Sequence, residues 1–210
     1  MASAIIHMAV ASELNKKLKR DDSKILIGSI APDISKHIGE TKKMSHFLID
    51  DTDIPDIDKF LVKYKSRLDD DFVLGYFIHL YTDYLWFKYF VPEFYNNDTA
   101  MITKLDGTSF KCRDKMFGLY VYNDYTNMNA RLLDEYNMDL SIFYNEPPIF
   151  EHIIEEIPMD KIKIIIDKMS IIIKNSKVQK DFIFDINNIK QFIDMSVELI
   201  SAKLSELKIA

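Results

Sequence analysis

The stretch from Phe72 to Phe90 constrains the fold of this chain more than any other segment. It is apolar almost all the way round a helical wheel, so as a helix it must be covered on every side. Such a helix sits at the centre of a larger assembly, and the rest of the chain has to supply its neighbours. It is not a membrane span: the strongly apolar part, Phe72 to Thr82, is interrupted by Asp83 and then Lys88, and a bilayer needs about 20 apolar residues.

The neighbours read as helices too. Five glycines and six prolines in 210 residues favour long helices over many short strands with tight turns. Ser3 to Leu18 places Ile6, Val10, Leu14 and Leu18 at helical spacing, with Asn15, Lys16 and Lys19 on the other side. Ile25 to Ile30 is a short apolar run, and Pro32 is expected to end any helix there. Ser35 to Asp58, mostly polar with Gly39 and Pro55, reads as a loop with short helical pieces. Asp56 caps a helix over Ile57 to Leu68. Pro92 is expected to close the central helix. A turn at Asp106-Gly107 follows, then a helix within Cys112 to Tyr136, a break at Pro147-Pro148, and helices over Met159 to Asn175 and Asn187 to Leu207. The Ile-rich pieces near Ile164 and Ile171 suit strands by propensity, but their Lys and Asp neighbours favour helix. The expectation is a single all-α domain over residues 1–210, a multi-helix bundle. Residues 97–148 carry no feature that assigns them a role.

Charge and cysteine content narrow the function. With 27 basic against 33 acidic side chains the net charge is −6, which argues against a duplex nucleic-acid partner, since such binders neutralise many phosphates. Cys112 is the single cysteine, so there is no internal disulfide and no cysteine-based zinc knuckle. The amino terminus lacks the basic and apolar pattern of a secretory signal, and the expected compartment is cytoplasmic.

The chemistry concentrates in the apolar helix itself. His79 and Asp83 stand at i and i+4, on one helix face with Cβ atoms about 5–6 Å apart. A neutral imidazole nitrogen and a carboxylate oxygen suit zinc and other divalent transition metals. Taken alone, the pair reads more simply as two buried polar groups satisfying each other. His7 near the apolar face of the first helix, Asp33 after an Ala-Pro turn and His46 in a polar stretch also have simple readings singly: a core histidine, a turn aspartate, a surface histidine. Together the five make three histidines and two carboxylates, more than one four-coordinate zinc requires.

The order His7, Gly28-Ser-Ile-Ala-Pro-Asp33, Ser45-His46-Phe47 and Gly75-x-x-x-His79-x-x-x-Asp83 resembles the zinc-dependent phospholipase C family, related to the fungal single-strand nucleases. The likeness covers roughly the first ninety residues. It implies an all-α fold with a metal cluster in a cleft and hydrolysis of phosphodiester bonds. Asp33, His46, His79 and Asp83 match the family's four-ligand site, and His7 matches the histidine of a second site that Asp83 would bridge. In the secreted enzymes a terminal amine completes that second site; here the Ala2 amine would serve if Met1 is removed. The family's third site needs a histidine soon after the H-x-x-x-D, and Tyr84 to Phe90 contains none. His152 and Glu156 have the H-x-x-x-E spacing for that site, although an exposed acidic helix end explains them equally well. One or two zinc ions are expected, with iron or manganese as alternatives.

The resemblance thus implies a metal-dependent hydrolase of a phosphoester or phosphodiester, acting on a phospholipid headgroup or a small phosphodiester with metal-bound hydroxide as nucleophile. Asp33 is the candidate catalytic residue, orienting or deprotonating the attacking water. Lys36, Lys42 and Lys43 are candidate phosphate contacts, against the simpler reading of a solvated basic cluster. The alternative function is a non-catalytic helical protein with a structural or vestigial metal. The absence of any histidine followed by Asp argues against a histidine–aspartate phosphohydrolase. Tyr76 and Trp86 read as core, His37 as a loop surface residue, Asp50 to Asp58 as a solvated acidic loop, and Cys112 as unreactive.

Overall fold

Polar caps start the helices where the sequence places them. The Ser3 hydroxyl accepts the Ile6 N–H and opens α1, Ala4–Leu18; Asp21 opens α2, Asp22–Gly28, through the Lys24 N–H. In this computed structural model the described residues are 1–50, 52–112, 116–150, 154–174 and 181–209. After α2 the chain enters a 3-10 turn, Ala31–Ile34, then two short helices, α3 (Ser35–Ile38) and α4 (Lys42–Ser45). Helix α2 has already ended at Gly28, so Pro32 starts the next turn instead of stopping the previous one. Its fixed φ suits a first turn, where its missing N–H costs nothing.

Asp56 caps α5, Ile57–Tyr64, as expected, and a 3-10 turn, Lys65–Arg67, prolongs it. Asp70 caps the central helix α6, Asp71–Leu85, by accepting the Phe72 and Val73 N–H groups. The expected stop at Pro92 does not occur. A π turn, Trp86–Phe90, carries the chain straight into α7, Val91–Phe94, with the Val91 N–H bonded to the Trp86 carbonyl. A proline has no N–H and crowds the preceding turn; widening that turn to i→i+5 spacing accommodates it.

Residues 95–111 contain an antiparallel three-stranded sheet: β1 (Tyr95–Asn96), β2 (Met101–Thr103) and β3 (Ser109–Lys111), with Ile102 paired to both Tyr95 and Phe110. The chain is therefore mostly helical with a small sheet. Strands of two or three residues are too short to show a period-2 pattern, so only the turn at Gly107, with φ of 78°, was legible. The remaining helices are α8 (Met116–Tyr136), α9 (Ile162–Lys174, entered through a 3-10 turn, Met159–Lys161) and α10 (Ile186–Leu207), which Asp185 and Asn188 open with a reciprocal capping box. The Ile-rich pieces are helical, as expected.

Buried apolar side chains from α1 through α10 form one continuous cluster around α6. Among the described residues no helix is long and apolar enough to cross a membrane. The closest packing is between α2 and α6. A Cβ on Gly28 would lie 2.3 Å from the Phe72 carbonyl oxygen, and one on Gly75 2.3 Å from that of Ile25. The two backbones touch, and only glycine fits at either position.

Candidate metal centre

Five polar side chains converge in the middle of this core. His7 lies one turn into α1, Asp33 in the 3-10 turn begun at Pro32, His46 at the C-cap of α4, and His79 and Asp83 one turn apart on α6. All five are buried, at 0–1% exposure. Among the described residues two groups have ligand atoms within 4.8 Å of one another: His7, His79 and Asp83, and Asp33, His46 and His79. His79 is common to both.

Surrounding groups fix how the rings face. The His79 Nδ1–H donates to the Ser29 carbonyl at 2.7 Å. A carbonyl only accepts, so in the neutral ring Nε2 carries the lone pair and points into the cluster. The Gly28–Gly75 crossing makes that bond: Ser29 directly follows Gly28, and His79 is one turn after Gly75. His46 Nδ1 lies 2.9 Å from Ser45 Oγ, which is 3.0 Å from Ser35 Oγ, while the Tyr76 hydroxyl donates to the Ser45 carbonyl. Phe47 adopts the left-handed region, φ 51°, beside His46, a conformation unusual for a bulky residue. Edge-on contacts with Phe60 and Tyr64 hold it there. His7 stacks on His79, ring centroids 3.7 Å apart.

The inner atoms are left without hydrogen-bond partners. Among the described residues, His7 Nδ1 and Nε2, Asp83 Oδ2 and Asp33 Oδ1 make no hydrogen bond, although the Lys36 ammonium lies 2.8 Å from Asp33 Oδ1 as an ion pair. Asp83 Oδ1 accepts the Ala2 N–H at 2.9 Å. Orphaned buried polar atoms are costly, and several gathered in one place form a set of donors that could hold a cation. The spacing agrees. Donors bound tetrahedrally to zinc at about 2.0–2.1 Å lie roughly 3.3–3.4 Å apart. Here His7 Nε2 to Asp83 Oδ1 and His46 Nε2 to His79 Nε2 are 3.3 Å, and His79 Nε2 to Asp83 Oδ2 and His46 Nε2 to Asp33 Oδ1 are 3.5 Å.

Electrostatics point the same way. Burial, helped by the neighbouring His79, pushes the His7 imidazole down to about 4, and burial also lowers His46. Burial works against the charge of both carboxyls. His46 and Lys36 nevertheless hold Asp33, and His7 and His79 hold Asp83, well below the ordinary carboxylate range. Three imidazoles, two buried carboxylates and a single ammonium beside them make a set of donors that could hold a divalent cation.

The other candidate residues lie elsewhere. Lys36 lines a pocket next to the cluster. Lys42 reaches the Met1 thioether at 3.1 Å, and Lys43 pairs with Asp50 on the surface at 2.6 Å. Glu156 accepts from Lys63 at 2.6 Å and from the Tyr64 hydroxyl at 2.7 Å, and it belongs to neither ligand group. His152, its expected partner, lies outside the described residues. Trp86 is core, as read; Tyr76 is core that also braces the His46 loop. Sequence reasoning missed Ser29, Gly28 and Gly75 as positioning residues. The two glycines in apolar helices, where each costs about 1 kcal/mol against alanine, were the signal that close packing was required.

Compared with protein-family models, curated proteins and solved structures, the chain matches none.

Proposed function

We propose that the chain is a metal-dependent hydrolase of phosphoesters or phosphodiesters, of the phospholipase C type in its ligand order. The observation that supports it most is the set of five buried donor side chains, several of their atoms without a hydrogen-bond partner, whose neighbouring pairs lie 3.3–3.5 Å apart. Asp33, His46, His79 and the Asp83 Oδ2 side would hold the first ion. The single free lone pair of His79 can serve one ion only, so a second would rest on His7 and Asp83 Oδ1, near the Ala2 nitrogen. Zinc held there would supply Lewis acidity and lower the pKa of a bound water.

The chain's own residues do the rest. The Ser29 carbonyl keeps the His79 proton on Nδ1. Asp33, paired with Lys36, would orient or accept a proton from the attacking water. The Lys36 ammonium offers a point charge to a phosphoryl oxygen.

A second reading, a structural metal without catalysis, draws on the complete burial of all five ligands, because structural sites are closed. Elemental analysis of untagged protein purified without chelator, combined with a bis(p-nitrophenyl) phosphate assay, tests both. One or two equivalents of zinc, iron or manganese with hydrolysis, both abolished in His79→Ala, is the expected result. Stoichiometric metal without hydrolysis of any phosphodiester would favour the structural reading. No metal after dialysis against zinc would overturn both.

A further inference from the structure

Two of the cluster's histidines meet nitrogen to nitrogen. His79 Nε2 and His46 Nε2 lie 3.3 Å apart. The Ser29 carbonyl, which only accepts, keeps the His79 proton on Nδ1, so the neutral ring presents a lone pair at Nε2. Two lone pairs at that distance repel, and a proton or a cation has to stand between the rings. Asp33 Oδ1, 3.5 Å from His46 Nε2, makes the same demand. The choice between proton and cation therefore falls on His46.

The other nitrogen of His46 has a partner unlike that of His79. Its Nδ1 lies 2.9 Å from Ser45 Oγ, which lies 3.0 Å from Ser35 Oγ. A hydroxyl can donate or accept, whereas a carbonyl only accepts. Each serine also has a carbonyl within reach: Lys42 at 3.4 Å from Ser45 Oγ and Pro32 at 3.3 Å from Ser35 Oγ. His46, Ser45 and Ser35 are 0–2% exposed, so the partners must come from within the chain. The Tyr76 hydroxyl donates to the Ser45 carbonyl, which fixes the backbone while the side chain is free to turn.

Resting on the metal reading above but not on catalysis, we propose that Ser45 and Ser35 are positioning residues whose hydroxyls reverse together, so that His46 can hold either a proton or a metal ion at Nε2 and keep Nδ1 paired in both cases. With the proton on Nε2, Ser35 donates to Ser45 and Ser45 donates to His46 Nδ1. With a metal ion on Nε2, the ring proton is on Nδ1 and donates to Ser45. Ser45 then donates to Ser35 or the Lys42 carbonyl, and Ser35 to the Pro32 carbonyl. The ring is neutral and carries one proton in both arrangements. Pro32 directly precedes Asp33, so the relay also joins the two loop segments that supply ligands. A carbonyl in place of Ser45 would permit only the second arrangement, as Ser29 does for His79.

Long-range proton–nitrogen correlation NMR on the full-length chain labelled with nitrogen-15 histidine reads the tautomers, with His46→Asn for assignment. Chelator-treated and zinc-loaded samples are compared in mildly alkaline buffer. The expected result is that His46 carries its proton on Nε2 without zinc and on Nδ1 with it, while His79 keeps its proton on Nδ1 throughout. Ser45→Ala is expected to weaken zinc binding about 10–100-fold in competition with a chelator, and Ser45→Thr, which keeps the hydroxyl, to restore most of it. Ser35→Ala should cost less, because Ser45 retains the Lys42 carbonyl. Zinc uptake with the His46 proton on the same nitrogen in both samples overturns the relay alone, as does wild-type zinc affinity in Ser45→Ala. A wild-type chain that takes up no zinc overturns the metal reading and this inference with it.

Discussion

The two sides of the pocket that Lys36 lines are built from opposite kinds of sequence. The ligand side takes single polar residues from the apolar α1 and α6, from the Pro32 turn and from the end of the polar α4. His79 and Asp83 are conspicuous because they are the two chemistry-bearing groups on a helix that is apolar over most of its length. The facing side, from α8 and α9, presents tyrosines, isoleucines and an asparagine on helices of mixed polarity. Any half-buried helix looks like that. A buried charge needs a stated reason, whereas an exposed tyrosine needs none. The first side can therefore be read from the chain, and the second only from its position.

The sides also differ in what holds them. The ligand side depends on backbone contact between α2 and α6 at Gly28 and Gly75. On the far side, Asp124 of α8 accepts the N–H groups of Phe182, Ile183 and Phe184 at 3.1, 2.5 and 3.3 Å, and Arg131 pairs with Asp181 at 2.6 Å. These polar contacts pin the segment that leads into α10. Substitutions on the two sides should separate metal binding from stability.

The largest effect is expected for Gly75→Ala, because the new methyl would sit 2.3 Å from the Ile25 carbonyl. Forcing the helices apart costs about 1–3 kcal/mol. Moving Ser29 away from His79 also weakens metal binding about 10–100-fold, measurable by competition with a chelator. A variant that keeps full metal affinity would break the link drawn between the glycine crossing and the His79 tautomer.

Acid is expected to act on the ligand side through His7. The unfolded imidazole takes up a proton below about 6.5, whereas the folded, metal-free one does so only near 4. Its contribution is complete above pH 6.5 and is lost as the pH falls toward 4, about 3 kcal/mol in all. Asp33 and Asp83, lowered in the folded state, add a further loss below the ordinary carboxylate range. Urea unfolding of chelator-treated protein at pH 7.5, 5.5 and 4.5 measures the first term, and His7→Gln should flatten it.

Asp124→Ala is expected to destabilise the chain by about 2 kcal/mol, since it orphans buried N–H groups, while the zinc content stays at the wild-type value. Loss of metal in this variant would show that the two sides are not independent. The smallest effect is expected for Glu156→Gln. This carboxylate is committed to Lys63 and Tyr64, so the number of bound metal ions should not change; loss of one equivalent would place Glu156 in the site after all.

Much of this molecule was present in the chain as local chemistry. The apolar circumference of residues 72–90 required a central buried helix, Asp56 marked a helix start, His79 and Asp83 stood out as polar residues in an apolar helix, and His7, Asp33 and His46 joined them through the order of their motifs. Periodicity and capping are properties of neighbouring residues, so sequence alone determines them. What lies between distant segments is different. The π turn that carries the chain through Pro92, the touching backbones at Gly28 and Gly75, the Ser29 carbonyl that orients His79, and the α8 tyrosines that line the pocket are matters of tertiary structure. All but the π turn, which answers to Pro92 beside it, depend on a contact between residues tens of positions apart. Such contacts are decided by how whole helices pack, where a difference of one methyl group or one carbonyl direction leaves no trace in the local pattern.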